Sequence, residues 1–148
     1  MKRVLTVSFA FAALALAPMA ARAATIEFHA ALSGKSEVPP NTSPGKGEAR
    51  ISYNTATKKL TWDVTYSGLT GPAIGAHFHG PAGPGKSAPI LVPLKGSLKS
   101  PMKGSATLTS SEVKDLMGGK LYFNIHTSAH KPGELRGQVE KGPSKKAG

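Results

Sequence analysis

The feature that most constrains this chain is an alternation of period two. In "KLTWDVTY", Leu60, Trp62, Val64 and Tyr66 fall on one side and Thr61, Asp63 and Thr65 on the other. Successive strand side chains point to opposite faces, so such a run is a strand with one face in a core. Ile26, Phe28, Ala30 and Leu32 repeat the pattern in "TIEFHAAL". It returns in "GEARISY", "AIGAHFH", "PILVPL", "GSATLT", "KLYFNIHT" and "GELRGQVE". The 17 Gly and 12 Pro are scattered between these runs as turn formers. About eight short strands at this spacing predict an all-β antiparallel sandwich or barrel. One segment breaks the pattern: Thr109 to Glu112 reads T-S-S-E, a capping box, and Gly118-Gly119 supplies a stop after "VKDLM", which predicts one short helix.

The chain opens with Lys2 and Arg3, continues with the apolar run Val4–Ala17, and reaches the small-x-small triplet Ala21-Arg22-Ala23. The run is shorter than the roughly 18 residues of a membrane span, and a cleavage pattern comes after it. Residues 1–23 are therefore read as a secretory signal, 24–140 as one domain, and 141–148 ("KGPSKKAG" with its lysines) as a disordered basic tail. Periplasmic or secreted location is the consequence, with no transmembrane segment after cleavage. Loss of Lys2, Arg3 and Arg22 lowers the formal charge from +11 to +8. A basic exported domain suits an anionic surface or protein partner and makes nucleic acid an unsuitable one. There is no cysteine, which excludes disulfides, thiolate metal sites and cysteine nucleophiles.

His77 and His79 sit two apart in "AHFHG". On a strand they face the same way, about 6.5–7 Å apart, while Ala76 and Phe78 face the core. Imidazole nitrogen is a ligand for both zinc and copper. In "KLYFNIHTSAH" the core side takes Leu121, Phe123 and Ile125, which leaves Tyr122, Asn124 and His126 on the same outer side as the histidine pair. If the two strands are neighbours, His77, His79 and His126 converge on one ion. His130, on the loop after His126, is a fourth candidate. Because the ligands face away from the core, replacing His77 or His79 is expected to leave folding intact.

His29 shares the outward phase and is read as a surface histidine. Glu134 and Arg136 alternate outward on the last strand, either as a solvated face or, for Arg136, as a cation that attracts a small anion. "EVPPNTSPG" reads as a loop because proline is excluded from central strands. No nucleophile elbow, phosphate loop or close carboxylate pair is present.

These residues carry a resemblance. "FHAALSGKSEVPP", "LTWDVTYSGLTGPAIGAHFHGPAGPG" and "GKLYFNIHTSAHKPGELRGQV" resemble the CHRD (chordin) domain of exported bacterial proteins. That family is distantly similar to Cu,Zn superoxide dismutases, which implies a Greek-key barrel or sandwich of dismutase-like or immunoglobulin-like form. By that resemblance, His77 and His79 match a copper-binding strand pair, His126 matches a late copper ligand, and Arg136 matches an anion-guiding arginine, which would be catalytic only in a dismutase. Residues 80–89, "GPAGPGKSAP", supply no His or Asp, so the zinc subsite and bridging histidine of those enzymes are missing. Three functions are therefore in competition. They are a metal-binding domain, with copper favoured over zinc by the Irving–Williams order, a metal-free interaction module, and a copper-only dismutase-like enzyme. Convergence of the three imidazoles separates the first from the second.

Overall fold

A computed structural model describes residues 23–143. Residues 1–22, all but the last residue of the expected signal, and residues 144–148 of the expected tail lie outside the described residues. The strands are β1 (Thr25–Ser33), β2 (Lys46–Asn54), β3 (Lys59–Ser67), β4 (Ala73–His79), β5 (Ile90–Pro93), β6 (Met102–Thr107), β7 (Tyr122–Thr127), β8 (Leu135–Gln138) and β9 (Glu140–Lys141), with one helix, α1 (Ser110–Met117), between β6 and β7. They form one antiparallel sheet in the order β5-β4-β7-β8-β1-β2-β3-β6, with β9 added on β1. The sheet curls into a nearly closed barrel, and Trp62 of β3 meets Phe78 of β4 across its interior at 5.3 Å between ring centroids. Every strand expected from the alternation is present.

The predicted inner faces fill the barrel. Phe28, Ala30, Leu32, Ile51, Leu60, Trp62, Val64, Phe78, Phe123 and Ile125 belong to one buried cluster. Burying a large apolar side chain stabilises the fold by about 1.5–3 kcal/mol, so this face fixes which side of each strand looks outward. The helix begins where the sequence places it: Thr109 Oγ1 accepts from the Glu112 backbone N–H, and Glu112 Oε2 accepts from the Thr109 N–H at 2.7 Å.

Two boundary details differ from the sequence reading. Glu140 and Lys141 pair with His29 and Phe28, so regular structure runs one residue beyond the expected domain end. The same strand covers His29. Its Nδ1 lies 3.3 Å from Gly142 O, its Nε2 is 3.7 Å from Glu140, and the residue is only 8% exposed. His29 is thus a buried histidine, because a strand that the alternation did not reveal lies over it.

Candidate metal centre

The topology supplies the adjacency that the sequence could not. β4 pairs with β7, and the register sets Gly75 opposite His126, His77 opposite Asn124 and His79 opposite Tyr122. All of these residues except Gly75 present side chains to the outer face. Gly75 leaves the room the rings need, since a Cβ there would stand 3.2 Å from His77 Cε1 and 3.8 Å from His126 Cδ2.

His77, His79 and His126 therefore come together, with one nitrogen from each ring within 4.8 Å of the others. Ring centroids are 4.9 Å apart for His77 and His126 and 5.5 Å apart for His77 and His79. Nitrogens held about 2 Å from one ion are at most roughly 4 Å apart, so small side-chain rotations complete a three-imidazole site. His130 is not in the group. Its backbone N–H turns back to Thr127 O at 3.2 Å, within the loop after β7.

The rings are held from behind. His79 Nδ1 is 3.0 Å from Ala88 O and His126 Nδ1 is 2.7 Å from Lys131 O. Both oxygens are carbonyls, so the ring nitrogens donate and both Nε2 atoms are left as ligand lone pairs. Outer hydrogen bonds of this kind orient metal-binding histidines. The two Nε2 atoms lie 2.9 and 3.0 Å from Asn124 Oδ1. His77 Nδ1 is buried without a hydrogen-bond partner among the described residues, the kind of orphan that an ion would satisfy.

Electrostatics favour the neutral form of His77 and His79. Burial lowers the His77 pKa, and the neighbouring His126 and His79 lower it further. Burial also lowers that of His79, opposed by its bond to Ala88. Neutral imidazole is the species that binds metal.

The outer face is not the open surface that alternation suggests. The Gly80–Pro89 loop folds over it, and His79 is 8% exposed. Tyr122 stacks on His79, with centroids 4.7 Å apart and planes 3° from parallel, and also carries the Arg136 guanidinium 3.5 Å from its ring. Arg136 donates to Lys86 O at 2.6 Å, and Gln138 donates to Ala82 O at 2.8 Å. Arg136 is thus a buried anchor for this loop rather than a solvated cation. Glu134 is buried as well. It accepts from Ser43 Oγ, Thr70 N–H, Thr70 Oγ1 and Thr127 Oγ1, which ties the loop before β2 and the loop after β3 to the end of β7. Burial alone would raise its pKa, but these donors bring it below the ordinary value.

Asn124, Tyr122 and Glu37 are the site residues that sequence reasoning missed. Asn124 carried a weak signal, standing two before His126 on the same face. Glu37 carried none, because its position depends on the path of a proline-rich loop.

The sequence model of the CHRD domain matches residues 28–139, which take in β1 from Phe28 onward and all of β2 to β8. The chain belongs to the CHRD domain family. CHRD domains are of extracellular type, and no helix among the described residues is long and apolar enough to cross a membrane. No match was found among curated proteins or among solved structures.

Proposed function

We propose that this CHRD domain works outside the cytoplasm, in the periplasm or secreted, and binds one transition-metal ion, copper in preference to zinc. The ion is held by Nε2 of His79, Nε2 of His126 and a ring nitrogen of His77. The observation that carries this reading is the convergence of three imidazoles from two strands, two of them with Nδ1 on a backbone carbonyl so that Nε2 is the nitrogen with the lone pair. A metal-free module has no need of such an arrangement. An all-imidazole donor set suits Cu(II) and Zn(II), and copper binds more tightly at equal availability. Bound copper would supply a redox-active Lewis acid. The chain's residues shield the ion beneath the Gly80–Pro89 loop and orient its ligands, which favours binding or buffering over turnover. An anion-guiding role for Arg136 is weakened by its burial and by its hydrogen bonds to Gly83 O and Lys86 O.

Calorimetric titration of residues 24–148 with Cu(II) and Zn(II) tests this reading, with His77→Ala and His126→Ala alongside. One equivalent of Cu(II) should bind, more tightly than Zn(II), and either substitution should remove most of the affinity. Binding that is unaffected by both changes would refute the site.

A further inference from the structure

Counting hydrogens at the histidines determines what Asn124 must do. A neutral imidazole carries one N–H. In His79 and His126 that hydrogen lies on Nδ1, because each Nδ1 faces a backbone carbonyl, Ala88 O or Lys131 O. Two bare Nε2 lone pairs then face Asn124 Oδ1, itself an acceptor, and only an N–H group would satisfy them. The NH2 end of Asn124 belongs there. The nitrogen and oxygen of an amide exchange by a half-turn that leaves its shape unchanged. The amide oxygen is thereby turned away from the histidines and needs a donor of its own.

Glu37 is placed to supply it. The chain leaves the 3-10 turn Gly34–Ser36 and lays the Glu37 side chain on the outer face, 5% exposed, beside Asn124 and Arg136. Its Oε1 has no hydrogen-bond partner among the described residues. The carboxyl group rests on Gly133, whose φ of 140° and missing side chain leave the space; a Cβ there would collide with both carboxyl oxygens. Burial pushes the Glu37 carboxyl up to about 7, against the Val38 N–H and the Arg136 charge. A carboxyl that keeps its proton is a donor as well as an acceptor.

We propose that Glu37 is a positioning residue of the histidine site, acting through the Asn124 amide to hold His79 and His126 as Nδ1–H tautomers, so that both Nε2 atoms carry lone pairs, capped by Asn124 N–H in the metal-free protein and given up to an ion when one binds. The proposal rests on the metal-site reading for its purpose, but its physical content is present in the metal-free protein. Replacing Glu37 by Gln keeps an N–H donor toward Asn124, whereas Leu keeps only the bulk. The ring-nitrogen NMR spectrum of metal-free protein at about pH 6.5, close to the ordinary histidine value, reports each tautomer directly.

Wild type and Glu37→Gln should both show Nδ1–H on His79 and His126. Glu37→Leu should show the Nε2–H form or a mixture on at least one ring and bind Zn(II) roughly 10-fold more weakly, the low end of the range for outer-shell partners of metal ligands. Wild-type tautomers in a folded Glu37→Leu protein would overturn the proposal. Should that variant fail to fold, Glu37→Met, which also lacks a donor, takes its place with the same two outcomes, and Nε2–H on either ring of the wild type overturns the proposal outright. The predicted tautomers without Zn(II) binding by wild type would remove the metal reading while leaving the role of Glu37 in fixing the rings.

Discussion

Replacing His77 and His79 separately by alanine in metal-free protein should give two different results, although alternation treats the two residues alike. His79 is buried beneath the Gly80–Pro89 loop, bonds to Ala88 O at 3.0 Å and to the Asn124 amide at 2.9 Å, and stacks on Tyr122. Each hydrogen bond contributes about 1 kcal/mol net. The aromatic stack adds about 0.5–1.5 kcal/mol. His79→Ala should therefore cost about 3 kcal/mol. His77 is half-buried, and its Nδ1 has no partner. Losing its ring packing is offset by losing an unsatisfied buried nitrogen, so His77→Ala should fall within about 0.5 kcal/mol of wild type. Urea unfolding in chelator reads the difference. With a slope of about 1–3 kcal/mol/M, His79→Ala should lower the midpoint by roughly 1–3 M, and His77→Ala should barely move it. Equal shifts, or a larger one for His77, would refute the account of how the loop is held. The comparison also makes His77→Ala the cleaner probe of metal affinity, because it leaves the scaffold intact.

Glu134→Gln removes the charge that four donors share and turns an amide N–H toward some of them, so it should destabilise the fold by about 2–4 kcal/mol at neutral pH. Because the folded pKa of Glu134 lies below its ordinary 4.5, the wild-type advantage should be full above that value and vanish as pH falls through the folded one. A pH-independent difference in unfolding midpoint would contradict the proposed hydrogen-bonded carboxylate. Arg136→Ala removes the bond to Lys86 O and the stack on Tyr122, so amide exchange across Gly83–Ala88 should accelerate while the barrel core stays protected. Unchanged protection in that loop would show that other contacts hold it.

The barrel was legible because a period of two is a local property: Leu121, Phe123 and Ile125 name their own face, and His126 takes the opposite one. Neighbourhood was not legible, since the pairing of His77 with Asn124 depends on a register fixed by the whole sheet. The outer face misled in one respect. Alternation separates the core side from the other side, but it cannot show that a loop will cover the other side, so Arg136, Glu134 and His29 read as exposed and are buried. Glu37 was invisible for a related reason, its place being set by a turn and by the space above Gly133. The absence of cysteine, by contrast, excluded thiolate donors from any metal site before the fold was known.

The central claim is that three histidine nitrogens share one ion. Electron paramagnetic resonance of the domain loaded with one equivalent of Cu(II) tests it most directly, because nitrogens bound to copper split the signal according to their number. The account predicts splitting from three imidazole nitrogens, reduced by one in His77→Ala. A spectrum without nitrogen splitting, or one that His77→Ala leaves unchanged, would contradict it.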